Sequence, residues 1–164
     1  VLDTGWAVHG MPDLDGDGKG DLLLLHATGF MAAFPSAAGG AAFLTNGPGV
    51  LSPTDPGGTP IGISAGWSLM GFADTDGDAK ADLLMRAPDG AALLMRMDGT
   101  VATAASVLPF SMLDTTLVGL GDLNADGKAD VITRNGITGE VTLRLMNGAA
   151  VTASATIAGP AGYE

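Results

Sequence analysis

Short apolar segments alternate with Asp- and Gly-rich turns along the whole of the 164-residue chain. None of these segments sustains a helical period over three turns, and each is the length of a β-strand. The clearest group lies in the middle of the chain, at Trp67 to Ala73, Ala81 to Ala87, Ala91 to Met97 and Thr100 to Leu108. The pattern predicts four strands joined by tight turns.

Two of the apolar runs are continuous rather than alternating. They are Leu22 to Leu25 and Leu83 to Met85. A strand with one face in water alternates apolar and polar residues, whereas a strand covered on both faces does not. We therefore expect both runs to be strands packed between neighbouring sheets.

A nine-residue acidic pattern occurs three times, at Asp13 to Asp21 (loop one), Asp74 to Asp82 (loop two) and Asp122 to Asp130 (loop three). The starts are 61 and then 48 residues apart, and each loop precedes an apolar run and a glycine turn. Four short strands per repeat are typical of a β-propeller blade or a similar β repeat. The sequence predicts an all-β fold of three tandem four-stranded blade-like repeats in one domain, at approximately 5–65, 66–113 and 114–161.

Each loop is preceded at the same distance by the residue that opens its repeat, namely Trp6, Trp67 or Thr115. Residues 162–164 have the same Gly-aromatic pattern one period later, and we interpret them as the start of a further repeat. The first repeat has 13 more residues than the second, which we place in the Pro/Gly-rich stretch Thr45 to Gly66. That stretch is predicted to be a long surface loop.

Each acidic loop places oxygen ligands at positions one, three, five and nine around a tight turn, and the position-seven carbonyl converges on the same point. Hard oxygen ligands in flexible geometry suit calcium, and we predict three Ca²⁺ sites. The predicted ligands are Asp13, Asp15, Asp17, Asp21 and the carbonyl of Lys19 in loop one; Asp74, Asp76, Asp78, Asp82 and the carbonyl of Lys80 in loop two; and Asp122, Asn124, Asp126, Asp130 and the carbonyl of Lys128 in loop three.

With these loops, the Gly-Trp lead-ins and the Met-Asn-Gly turn that ends at Gly148, the chain resembles the FG-GAP and VCBS-type repeats over essentially its whole length. The resemblance implies calcium-binding β-propeller blades of extracellular proteins, such as integrin α subunits and bacterial surface proteins. Two alanines, Ala79 and Ala125, replace glycines of the loop pattern. A positive φ at Ala79 would cost on the order of 1 kcal/mol and weaken loop two.

Composition narrows the possible functions. The net charge of −11 disfavours nucleic acids and anionic membranes, and the absence of cysteine excludes disulfides, thiolate zinc sites and cysteine nucleophiles. Eleven of the 18 acidic residues and all three lysines lie in the loops. Four carboxylates crowded into one loop repel each other without metal, so we expect metal binding to be part of folding.

One motif suggests catalysis. Gly62 to Gly66 matches the G-x-S-x-G turn of hydrolases, which requires a strand before the serine and a helix after it. Here a Pro/Gly loop precedes Ser64 and a strand follows it. The only histidines, His9 and His26, fall on predicted strand positions, and we expect structural roles for both and no enzymatic activity.

Charged residues are scarce outside the loops, and three blades do not close a ring that normally needs at least four. Both facts predict burial against other copies or adjoining repeats. We expect a non-enzymatic, calcium-stabilised structural repeat protein of a surface assembly or filament, outside the cell or on its surface, where calcium fills modest-affinity loops. The alternative is a lectin or adhesin fragment that binds a glycan or protein through the Thr45 to Gly66 stretch, with Trp6 and Trp67 as candidate sugar contacts.

Overall fold

The computed structural model describes residues 4–36, 42–46, 57–58, 60–63 and 66–159. Within these ranges all regular secondary structure is β, and no helix that would reach across a lipid bilayer is found. The strands are β1 (Trp6–Gly10), β2 (Leu22–His26), β3 (Met31–Phe34), β4 (Ala42–Phe43), β5 (Thr45–Asn46), β6 (Ser68–Ala73), β7 (Asp82–Arg86), β8 (Ala91–Asp98), β9 (Val101–Ser111), β10 (Thr115–Gly121), β11 (Asp130–Asn135), β12 (Val141–Asn147) and β13 (Ala150–Ile157).

The strands form three separate sheets that follow one another along the chain. Sheet one contains β1 to β4, sheet two β6 to β9 and sheet three β10 to β13, each as an antiparallel meander. The two-residue strand β5 joins the outer edge of sheet two, parallel to β9. The predicted all-β fold of three four-stranded sheets is confirmed.

Two apolar clusters hold the sheets together. One lies between sheets one and two, and the other between sheets two and three. Strand β7 contributes to both, because Leu83 and Met85 pack in the first cluster and Leu84 packs in the second. All three side chains are at most 3% exposed, so the continuous apolar run is covered on both faces, as expected.

The stretch from Thr45 to Gly66 is partly at the surface, as predicted, where the structure describes it: Gly58, Pro60, Gly62 and Gly66 are exposed, whereas Ile61 is buried. Leu44 and Ile61 are 0% and 2% exposed and belong to the first cluster. The Ile61 amide donates a hydrogen bond to the Leu44 carbonyl at 2.7 Å, and Thr45 begins β5. Leu44, just before the stretch, and Ile61 within it therefore belong to the core, which a composition rich in Pro and Gly does not predict.

Candidate metal sites

The three acidic loops join the first two strands of their sheets, and the aspartate at position one organises each turn. In loop one, the amides of Gly16 and Gly18 each donate to a different oxygen of Asp13, both at 2.8 Å. In loop two, the position-four and position-six amides bond Asp74 in the same way at 2.7 Å. The short aspartate side chain accepts hydrogen bonds from backbone amides that the tight turn leaves without a backbone partner.

The position-nine aspartates, Asp21, Asp82 and Asp130, are buried, at most 1% exposed. In loop three, Asp130 accepts the Leu123 amide on one oxygen at 2.9 Å and the Met146 amide of β12 on the other at 2.8 Å. The corresponding carboxylates of the other loops each accept two equivalent amides. This carboxylate therefore fixes loops two and three to the third strand of their sheets, and it fixes loop one to Ser36, just after β3.

Among the described residues, aspartate carboxylates converge in two of the loops. One oxygen from each of three aspartates lies within 4.8 Å of the others, in loop one from Asp13, Asp15 and Asp21 and in loop two from Asp74, Asp76 and Asp78. Divalent cations bind such converging oxygens.

Two other predicted ligands, Asp17 and Asn124, already form hydrogen bonds with protein groups. The Asp17 carboxylate accepts hydrogen bonds from the Lys19 ammonium at 2.7 Å and the Ser36 hydroxyl at 2.8 Å. In loop three, the Asn124 amide nitrogen donates to Asp126 at 3.1 Å, and its oxygen accepts the Asp126 backbone amide at the same distance.

The lysines at position seven were predicted to provide backbone carbonyls. Their ammonium groups fasten the loops: Lys80 pairs with Asp98 at 2.6 Å, and Lys128 donates to Asn147 at 2.6 Å. Both partners are the last residue of the third strand of their sheet, Asp98 in β8 and Asn147 in β12. Positions one, five, seven and nine therefore each have a distinct structural contact besides their predicted role as ligands.

Two observations indicate that the oxygen atoms of loop two suit a bound cation. Among the described residues, the Oδ1 atom of Asp76 is buried and has no hydrogen-bond partner. Burial raises the pKa of Asp82, despite hydrogen bonds from Thr75 and the Met97 amide. A bound cation would pair the buried oxygen and offset the desolvation of the carboxylates.

Hydrogen bonds stabilise the charged form of two other loop carboxylates. The Gly127 amide is the main cause of the lowered pKa of Asp122, and a smaller desolvation effect opposes it. The Lys19 ammonium is the main cause of the lowered pKa of Asp17, with a further contribution from Ser36. Both side chains are therefore held as carboxylates, which is the form that binds metal.

Sequence reasoning missed one charged neighbour of loop two. The Arg96 guanidinium, on β8, contacts the second oxygen of Asp76 at 2.5 Å. The equivalent residue of sheet three is Leu145, which precedes Met146 as Arg96 precedes Met97. Only the strand pairing shows that this side chain reaches the loop.

Replacing Arg96 by Leu is expected to tighten calcium binding at loop two by about fivefold, because a nearby cation repels a divalent ion with an energy on the order of 1 kcal/mol at a partly exposed site. Isothermal titration calorimetry measures the change. The matched substitution Leu145→Arg brings the same charge to loop three and is expected to weaken it. Unchanged binding in both variants would contradict this role of the arginine.

Two alanines of the loops have left-handed backbone conformations. Ala79 has φ of 68° and Ala125 has φ of 61°, where the equivalent residues of the other loops are glycines at 79° to 87°. Ala79 therefore has the positive φ whose cost the loop pattern raised as a possibility. A Cβ atom is unfavourable in this region, so both alanines are strained.

The substitutions Ala79→Gly and Ala125→Gly are each expected to stabilise the protein by about 1 kcal/mol. Gly18→Ala should destabilise it by a similar amount, because Gly18 has φ of 81° and a Cβ atom there would meet nothing within 4 Å. Urea denaturation of the three variants measures these effects. A loss of stability in both glycine variants would show that the backbone is not strained at the alanines.

The other residues singled out from the sequence are not part of the three loops. His9 is exposed in β1, and His26 ends β2 with its ring 5.0 Å from that of Trp6. Trp67 packs against the first apolar cluster. Ser64 of the G-x-S-x-G pattern and residues 162–164 lie outside the described residues.

Comparison with known families gives one match. Residues 13–85 match the family described as FG-GAP-like repeat. The matched segment begins at the first residue of loop one, includes loop two and ends in β7. A comparison with curated proteins finds no significant match.

Proposed function

Because this chain carries an FG-GAP-like repeat, we propose that it is a non-enzymatic repeat protein whose three loops each hold a calcium ion. The observation that carries the proposal is the convergence of three aspartate oxygens in each of loops one and two, with a buried oxygen of Asp76 that has no hydrogen-bond partner among the described residues. The side-chain oxygens at positions one, three, five and nine would bind the ion, together with the position-seven carbonyl.

Calcium would stabilise the fold rather than take part in a reaction. A bound ion links the turn to the buried position-nine carboxylate, and through it to the third strand of the sheet. It also neutralises charge that would otherwise repel within nine residues of chain. The loops would thus act as calcium-dependent clamps at one end of each sheet.

We place this function outside the cell or on its surface. Calcium loops of modest affinity fill only where free calcium is abundant, and cytosolic levels are too low. The stacking of three sheets through apolar faces supports blades of a propeller-like array. In this proposal the chain is a structural segment that packs with copies of itself or with adjoining repeats.

Calcium titration of the chelator-stripped protein tests the proposal directly. Isothermal titration calorimetry should give three ions per chain, with loop two the weakest because of Arg96 and the strained Ala79. Magnesium, which requires stricter octahedral geometry, is the control and should bind more weakly. Absence of calcium binding at millimolar concentration would overturn the proposal, and saturable binding in a glycan screen would instead favour a lectin or adhesin.

A further inference from the structure

Neighbouring repeats are joined by a ladder of backbone hydrogen bonds between their loops. The Ala81 amide donates to the Asp13 carbonyl, and the Ala129 amide donates to the Asp74 carbonyl, both at 2.6 Å. Each loop thus accepts an amide from position eight of the next loop. The carbonyl of Asp122 in loop three accepts no such bond within the part of the chain that the structure describes.

A second rung has the same polarity. The Gly99 amide donates to the Leu14 carbonyl at 2.9 Å, and the Gly148 amide donates to the Thr75 carbonyl at 2.8 Å. Burial of the position-two side chain follows this contact: Leu14 is 0% exposed and Thr75 is 4% exposed, whereas Leu123 of loop three is 46% exposed. Leu123, which a following repeat would cover, is therefore exposed at the last loop of the ladder.

The first strand of each sheet has an equivalent glycine, and in sheets one and two this glycine receives a side chain from the next sheet. A Cβ atom on Gly10 would lie 2.4 Å from the Phe72 ring, and one on Gly71 would lie 3.0 Å from Leu120. The third glycine of this series, Gly119, would meet nothing within 4 Å. Sheet three therefore presents an open depression where sheets one and two each hold an apolar side chain.

Sheet one, at the opposite end of the stack of sheets, has the complementary features. Met11 is the equivalent of Phe72 and Leu120, and it is 70% exposed. Val8, the equivalent of the buried Leu69, is 67% exposed. These apolar side chains of sheet one have no preceding sheet to pack against in the described structure.

We propose that the outer face of sheet three docks the outer face of sheet one from a second copy of this chain. Met11 of the second copy would fill the depression at Gly119, and its Gly20 amide, which is equivalent to the Ala81 amide, would donate to the Asp122 carbonyl. This proposal rests on the structural role proposed above, for which it names the interface. The two surfaces differ, so association is head-to-tail, and it closes into a ring or extends as a filament.

The internal interfaces favour a second copy as the occupant. The chain contains two interfaces of this kind, and the exposed residues at its two ends are the unmatched halves of a third. A docking peptide strand would use the sheet edge instead, and would leave both Met11 and the depression unused. Continuity with these two internal interfaces therefore supports a second copy as the partner and sets its register.

Sedimentation velocity as a function of concentration, in saturating calcium, tests the proposal. The wild type is expected to associate. Gly119→Val fills the depression and Met11→Glu places a charge in the apolar contact, and each should weaken association by about 100-fold. Val107→Glu is the matched control, because Val107 is 71% exposed in sheet two and outside both surfaces.

Mixing the two weakened variants gives the sharpest result. The Met11→Glu chain keeps the intact sheet-three face, and the Gly119→Val chain keeps the intact sheet-one face. Together they should form one-to-one pairs that do not grow further. Circular dichroism checks that each variant folds, and Ile157→Glu, at a position 62% exposed on the same sheet, replaces Gly119→Val if that variant does not.

Several outcomes would overturn the interface. A wild type that stays monomeric with three calcium ions bound removes the interface and leaves the calcium function intact. Association that survives Met11→Glu but not Gly119→Val shows sheet three pairing with itself. Association equally reduced by Val107→Glu shows contact elsewhere, and absence of calcium binding refutes the proposed function independently of the oligomeric state.

Discussion

Removing calcium with a chelator is expected to lower the melting temperature by roughly 8 to 16 °C relative to the calcium-saturated protein. Each ion at about ten times its dissociation constant adds roughly 1.4 kcal/mol, so three ions add about 4 kcal/mol. For a domain of this size, each kcal/mol shifts the midpoint by roughly 2 to 4 °C. This effect is large because all three loops lose their ions together.

Differential scanning calorimetry in calcium and in excess chelator measures this shift. The net charge of −11 also destabilises the metal-free chain, so added sodium chloride should recover part of the loss by screening. Calcium added back in excess of the chelator is the control and should restore the midpoint. Equal midpoints with and without calcium would show that the loops contribute no metal-linked stability.

The sequence was sufficient to predict the sheets because their signals are local. The continuous run Leu83 to Met85 has the composition of a doubly covered strand, and the structure covers it on both faces. The acidic loops are also local, since Asp13 organises its turn through amides three and five residues away. Because the pattern recurs three times, the same local signals appear in each repeat and support the predicted spacing of loops and strands.

Contacts between distant residues were not predictable in this way. Arg96 reaches Asp76 only because β8 lies beside the loop once the sheet has formed. The core positions of Leu44 and Ile61 depend on a segment whose composition predicts a surface loop. The fit of Phe72 over Gly10 requires the stacking of two sheets, which no periodicity along one strand specifies.

Asp130→Asn is expected to destabilise the metal-free protein by about 3 kcal/mol. The carboxylate is 0% exposed, and its two oxygens accept the amides of Leu123 and Met146. Asparagine keeps one acceptor but turns an NH₂ group toward the other amide, which leaves a buried donor without a partner. Urea denaturation in excess chelator measures the loss separately from any effect on calcium.

Asp126→Asn is the matched control, because it makes the same chemical change at an exposed position of the same loop. Its exposed carboxylate accepts the Lys128 amide at 2.9 Å and the Asn124 side-chain amide at 3.1 Å, and water can replace either bond, so the loss without metal should stay within about 0.5 kcal/mol. In calcium, both variants should bind the ion of loop three more weakly, since each has lost a charged ligand. Equal stability losses without metal would show that burial of Asp130 does not determine its contribution. A loss confined to Asp130 would instead separate two roles within one loop: position nine fixes the fold, and position five serves the metal.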